Sequence, residues 1–305
     1  MQAKLQNKPI LETYFRIVMK MNRIIFGIIA AIFILAGLIY WTFKNNSYIS
    51  FDEDNKTYTI EEKWELPSIL NEISGLSYLG NNEMACIQDE DGVIFIFNLE
   101  TSKITSRIEF GESGDYEGLA VAQDTAYVLR SDGKIYEVKN FRGKAPKIDI
   151  YQISGLDINE AESLEIDVKN NRLLFAVKEY NNRKDTKGIY AFDLSTKSLE
   201  KGRHFTLDGN DEIYRNLVGG RSSRIIRPSA IRFHPKTGEL YVLEGNQPKL
   251  IILDAEGNEV KIHILNTETF PQPEALDFDE ENRLYISNES RRQPANILRV
   301  KLENN

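Results

Sequence analysis

The chain has 305 residues, 41% hydrophobic and 28% charged, with a formal net charge of −8. That composition supports a packed core and excludes a wholly disordered chain. The first 23 residues carry five basic side chains and one acidic one; beyond them 33 basic residues face 45 acidic ones, net −12. A body of that charge is unsuited to general nucleic-acid binding, which needs cations against phosphates, and suits a cation or a basic partner.

From the N-terminus, residues 1–23 read as a basic lead. Ile24 to Phe43 is a run of 20 residues without a charge. As a helix it would span about 30 Å, one bilayer core. Tyr40 and Trp41 stand at its far end, where amphipathic rings prefer the interface, and Arg16, Lys20 and Arg23 flank the near end. The positive-inside rule keeps that flank in the cytoplasm and sends the body across. A cleaved signal peptide would want a shorter apolar run and small residues at its end, whereas this run ends Tyr-Trp-Thr-Phe. The expectation is a single-pass inner-membrane anchor over 24–43, a polar linker over 44–56, and a body on the periplasmic or extracellular side. No Cys follows the run, which excludes a lipid anchor there. Met19 or Met21 would serve equally as the start without changing the topology. Asn45, Asn55 and Asn288 head Asn-x-Ser/Thr sequons.

The body repeats one phrase five times. A polar residue, a small residue and a Leu or Ile open a strand at Ser74-Gly75-Leu76, Glu117-Gly118-Leu119, Glu162-Ser163-Leu164, Ser229-Ala230-Ile231 and Glu274-Ala275-Leu276. The small residues are spaced by 43, 45, 67 and 45 positions. Repeats of about 40–50 residues built from several strands define a β-propeller. In the second unit the later strands read Thr125 to Leu129, Lys134 to Val138 and Lys147 to Ile153, with a turn at Ser131-Asp132-Gly133. The third and fourth units follow suit. The fifth has Leu276 to Phe278, Leu284 to Ser287 and Ile297 to Leu302, one strand short, while Tyr58 to Leu66 is a spare strand before the first unit. These readings predict an all-β, five-bladed propeller over residues 57–302, closed by the N-terminal strand and preceded by one transmembrane helix. The long third interval reads as an excursion over Asp208 to Arg227.

A propeller gathers equivalent positions around one axis. The starts of the first strands and the ends of the second strands share a face, because the two strands run antiparallel. The starts carry Glu117, Glu162 and Glu274, with Ser74 and Ser229. The ends carry Asp89-Glu90-Asp91, Asp132, Lys178-Glu179, Glu244 and Asn288-Glu289. Converging carboxylates repel unless protonated or neutralised, and a hard cation with oxygen ligands removes that cost. Calcium fits better than zinc, since Cys86 stands alone in an apolar strand and His204, His234 and His263 are scattered. The alternative is that each Glu bonds nearby backbone N–H groups and holds blades together. The loop Gly219-Gly220-Arg221-Ser222-Ser223-Arg224, with Arg227, is a basic loop, by default solvated. Asp89-Glu90-Asp91-Gly92 and Asp277-Phe278-Asp279 lack the full twelve-residue calcium loop. The nucleophile-elbow, Walker A, zincin and dinucleotide motifs are absent.

The anchor and the phrases Ile-Ser-Gly-Leu, Tyr-Glu-Gly-Leu-Ala, Ala-Glu-Ser-Leu-Glu, Pro-Ser-Ala-Ile and Pro-Glu-Ala-Leu-Asp resemble the SdiA-regulated, or YjiK-like, family over residues 57–302. The resemblance implies a five-bladed propeller distantly similar to NHL-repeat propellers, with a shared calcium site and no established activity. Carried onto this chain, it implies Glu117, Glu162 and Glu274 near the ion, and on looser surroundings Glu179 and Glu244. Two functions follow. One is a binding module showing a calcium-stabilised face to a protein or small-molecule ligand. The other is a metal-dependent hydrolase of the lactonase or phosphoesterase type, with Glu179 or Asp132 as base.

Overall fold

Apolar runs broken by polar turns make each unit of the body a small antiparallel sheet. The computed structural model describes residues 19, 26, 28–38, 56–158, 160–179, 186–214 and 226–303, with residue 179 described by its backbone alone. The chain divides into two units, Met1–Tyr48 and Ile49–Asn305. In the first, residues 28–38 are helical with exposed side chains. The anchor expected over 24–43 lies partly outside the described residues, and among the described residues no helix is long and apolar enough to cross a membrane.

The second unit begins with β1 (Tyr58–Glu65). Blade one holds β2 (Ile73–Gly80), β3 (Glu83–Gln88), β4 (Val93–Asn98) and β5 (Lys103–Glu109). Blade two holds β6 (Tyr116–Ala122), β7 (Thr125–Arg130), β8 (Lys134–Lys139) and β9 (Lys147–Gln152). Blade three holds β10 (Glu160–Asp167), β11 (Arg172–Glu179) and β12 (Thr186–Asp193). Its outer strand is broken into β13 (Ser198–Leu199) and β14 (Phe205–Asp208), both paired with β12. Blade four holds β15 (Pro228–Phe233), β16 (Leu240–Glu244), β17 (Lys249–Leu253) and β18 (Glu259–Ile264). Blade five is β19 (Pro273–Phe278), β20 (Leu284–Asn288), β21 (Asn296–Leu302) and β1, in the order β1-β21-β20-β19. Its outermost strand therefore comes from the N-terminal side of the body. Tyr58 pairs with Leu302 and Trp64 with Ile297.

Five apolar clusters fill the five clefts between neighbouring blades. Ala85, Ile87, Ile94 and Ile96 of blade one meet Tyr116, Leu119 and Val128 of blade two, for example. The inner strands are buried on both faces, so β16, β17 and β19 read as near-continuous buried runs, while outer strands such as β5 alternate. Tyr58 and Trp64 carry β1 into the clusters on either side of blade five. The innermost strands touch in a closed circuit, β2, β6, β10, β15, β19 and back to β2. The 208–227 excursion contains a short helical turn over Glu212–Tyr214, and its Tyr214 is buried between blades three and four.

Each innermost strand carries a β-bulge at its start. The ladder skips Ser74, Glu117, Ser229 and Glu274, the polar position of the repeat in four blades. In blade three it skips Ser163 instead, while Glu162 pairs with Ala176. Ser163 adopts φ +56°, a left-handed conformation uncommon outside glycine. The five repeats thus match in sequence, but the third is out of step by one residue in the ladder. A bulge frees a residue from pairing and re-aims its side chain. In four blades that turns the repeat's polar residue out of the ladder.

Candidate functional site

Glu117, Glu160 and Glu162 converge, with one carboxylate oxygen from each lying within 4.8 Å of the others. Glu162 is 1% exposed. The ammonium of Lys178 lies 2.6 Å from Glu162 Oε1 and 3.3 Å from Glu160 Oε1. One cation does not balance this much negative charge. Burial lifts Glu117 to about 9; Asp115 and Glu274 add to the rise and Lys178 opposes it. Burial also holds Glu162 well above the usual carboxylate range, with Glu117 adding to it. Glu274 is pushed up to about 7 by burial, against the pull of Lys178. Burial works against the charge of Lys178, but Glu162, Glu274 and Glu160 outweigh it and its pKa lies above the ordinary lysine value.

Further acids surround the mouth. Burial lifts Glu289 to about 8, helped by Glu274, Glu72 and Asp89. Burial lifts Asp89 to about 6, helped by Glu72, Glu90 and Asp115. Backbone bonds between blades fix these ends: Tyr116 N donates to Asp89 O at 3.0 Å, Ala161 N to Ser131 O at 2.9 Å, and Ser290 N to Asn71 O at 2.8 Å.

Below the mouth the axis is nearly filled. A cavity of about 10 Å³ remains, lined by Ser74, Ser163, Ser229 and Glu274 above and Arg232 below. That is room for about one water. The hydroxyls of Ser74 and Ser163 are buried there without a hydrogen-bond partner among the described residues. Arg232, 7% exposed, closes the axis. Its Nη2 donates to the carbonyls of Leu76 at 2.9 Å and Leu119 at 3.1 Å, and its Nε to Leu276 O at 3.3 Å. Its Nη1 donates to Glu165 Oε2 at 2.5 Å, and Asp277 Oδ1 is 3.3 Å from Nε. One guanidinium from blade four thereby joins the other four blades. The residue after the repeat's Leu or Ile is Ser77, Ala120, Glu165, Arg232 or Asp277, so a second polar layer lies in the same repeat.

Of the residues expected at the ion, Glu117 and Glu162 meet directly, and Glu274 acts on both through its charge. Glu244 has committed partners: Lys249 Nζ at 2.7 Å and the N–H groups of Asn246 at 3.1 Å and Gln247 at 2.9 Å. The side chain of Glu179 lies outside the described residues, while its backbone pairs with Glu160. Glu160 was not anticipated, though it lies two residues before Glu162 and alternation puts both on one face. Cys86, His234 and His263 are each accounted for locally. The thiol of Cys86 is fully buried and pushed far up by burial. His234 Nδ1 accepts from Lys236 and Thr237 N–H inside a turn, and His263 meets Thr57 Oγ1 at 2.8 Å.

Fold and site define a five-bladed β-propeller with an acidic mouth over an axis closed by arginine. The chain belongs to the SdiA-regulated family, whose pattern it matches over residues 49–293. No curated protein matches it. Among solved structures it is similar to glutaminyl cyclase of Myxococcus xanthus, at 13% identity and a TM-score of 0.56, over 81% of this chain and 96% of that one. It is also similar to a structural genomics protein of unknown function from Bacteroides thetaiotaomicron, at 16% identity and a TM-score of 0.46, over 80% of this chain and 57% of that one. At 13% identity the likeness to the cyclase is one of fold.

Proposed function

We propose that this protein is a membrane-anchored, extracytoplasmic binding module whose acidic mouth holds a calcium ion. The carrying observation is the convergence of Glu117, Glu160 and Glu162 within 4.8 Å. Ligands of one calcium lie about 2.3–2.6 Å from it, so two of them sit up to about 5 Å apart, and the carboxylates meet that limit. The donors are oxygens, as a hard cation requires. Glu274, lining the cavity just beneath, adds negative charge to the same place. The unpartnered hydroxyls of Ser74 and Ser163 mark that cavity as polar ground without enough protein partners.

When bound, calcium would neutralise carboxylates whose charge burial disfavours. The protein's own part is to fix them on bulged strand starts of a rigid ring, with β1 completing the last blade. Because Arg232 closes the axis, a ligand reaches the ion from the mouth side. The run 24–43 would hold the body at the inner membrane on its periplasmic or extracellular side, ready for a protein or small-molecule ligand. The test is calorimetric titration of the full-length chain in detergent with calcium chloride. Saturable binding that Glu117→Gln and Glu162→Gln each weaken is expected. Heats no larger than dilution in the wild type would end the calcium reading.

A further inference from the structure

Lys178 sits at an irregularity unlike those of the other blades. In the β10–β11 ladder Glu160 pairs with Glu179 and Ala161 with Val177, so Lys178 is skipped on the second strand. Two residues on, the same ladder skips Ser163 on the first strand. In blades two, four and five the corresponding ladders each have one shift, at the strand-one start. A bulge re-aims the side chain it frees. Here the freed ammonium is the one that meets Glu162 and Glu160. The carbonyl of Lys178 accepts from the Lys187 ammonium on the neighbouring strand, which holds the bulged backbone in place.

This ammonium occupies the ground that the preceding section gives to an external ion. Its bond to Glu162 uses an oxygen of one of the three clustered carboxylates. A compact point charge on a flexible stem can leave such a place without rearranging the sheet. The lysine side chain is 25% exposed, so a path to solvent exists. Three ionised carboxylates and one ammonium leave two uncompensated negative charges. A monovalent cation that replaced the ammonium would leave the same two. A divalent ion would leave one.

We propose that Lys178 is a built-in occupant of the acidic mouth, that an external cation binds by displacing its ammonium from Glu162 and Glu160, and that this exchange selects divalent over monovalent ions. The proposal rests on the calcium reading and adds the residue that sets its affinity and selectivity. Lys178 is thus a specificity determinant rather than a ligand.

The experiment uses the full-length chain in detergent and calcium chloride as the probe. Wild type, Lys178→Met and Lys178→Arg are titrated by calorimetry in low salt and again in 200 mM NaCl, with circular dichroism to confirm folding. Removing one competing unit charge at contact distance should tighten calcium binding at least about tenfold in Lys178→Met. That variant should also become markedly more sensitive to sodium than the wild type, whereas Lys178→Arg, which keeps the competitor, should stay near it. In parallel, amine acetylation read by mass spectrometry should find Lys178 protected without calcium and reactive with it. Equal calcium affinity in wild type and Lys178→Met, or labelling of Lys178 that does not rise with calcium, overturns the exchange while leaving calcium binding intact. Absence of calcium binding in wild type and both variants overturns the exchange and the calcium reading together.

Discussion

The Arg232 guanidinium donates to Glu165 at 2.5 Å, from the innermost strand of blade four to that of blade three. The same group bonds carbonyls in blades one, two and five. Arg232→Met would strand Glu165 and Asp277 as buried carboxylates beside three unpaired carbonyls. Breaking a buried pair from one side costs about 3–5 kcal/mol, and urea unfolding should show a loss of that order. Arg232→Met with Glu165→Gln should recover part of it, because one of the stranded charges is gone. A single variant as stable as wild type would mean that the guanidinium does not hold the blades.

Blade five depends on a strand from the other end of the body. Trp64 on β1 is 7% exposed, packs near Tyr285 with ring centroids 5.9 Å apart, and lies under the Arg299 guanidinium. Trp64→Ala removes an anchor of β1 from the cleft between blades five and one. Large aromatic truncations in cores cost about 3–5 kcal/mol, so the melting temperature should fall by several degrees. A change below 1 kcal/mol in urea unfolding would show that β1 is dispensable to ring closure.

The crowded acids set the pH response. Glu117 and Glu274 move from an ordinary 4.5 to about 9 and about 7 on folding, burial being the main cause. A group with a raised folded pKa contributes stability that is complete below its unfolded pKa and is lost as pH rises through the folded one. Without divalent ions, melting temperature should therefore fall between pH 6.5 and 9. His263 does not blur this window. Burial lowers it to about 4, so its own effect is confined to pH below 6.5, where stability is lost on acidification. Calcium should flatten the slope and release protons on binding, visible as a heat that varies with buffer ionisation enthalpy. A melting temperature in chelator that is level from pH 6.5 to 9 would contradict this account.

The blade count, the strand order and the acidic starts at Glu117, Glu162 and Glu274 were legible because a repeat displays one position five times. What the repeat hid was register. The third unit aligns by its letters, Glu162-Ser163-Leu164, yet its bulge falls on Ser163 rather than on the Glu. Register follows the hydrophobic pattern and the turn geometry of the paired strands together, so the letters of one strand alone do not encode it. Lys178 was visible as a strand-end residue, but only its bulge turns it into the partner of Glu162. The axial layer was legible in principle, since Ser77, Ala120, Glu165, Arg232 and Asp277 occupy one repeat position. An arginine inside an apolar strand is the kind of local exception that marks such a layer. Glu244 shows what else the repeat leaves out: its carboxylate pairs with Lys249, five residues on, a contact that the repeat position alone does not encode.

The small residue of the repeat makes a prediction of its own. A Cβ on Gly118 would lie 2.7 Å from Ser163 C and Leu164 N, which are backbone atoms of the next blade. Backbone cannot rotate aside as a side-chain tip can, so Gly118→Ala forces blades two and three apart at the axis. Overpacking of this kind costs about 1–3 kcal/mol. At Gly75 the atoms met are side-chain carbons of Ile87 and the Leu119 Cβ, the nearest also 2.7 Å away. The Ile87 carbons can shift, so Gly75→Ala should cost less than Gly118→Ala. Because Gly118 follows Glu117, its substitution should also weaken calcium binding by displacing that carboxylate. Gly75→Ala, beside Ser74, should leave binding close to wild type. Urea unfolding of both variants with parallel calorimetry tests the ordering. Equal losses, or a larger loss at Gly75, would show that close approach of innermost strands is not what reserves position 118 for glycine.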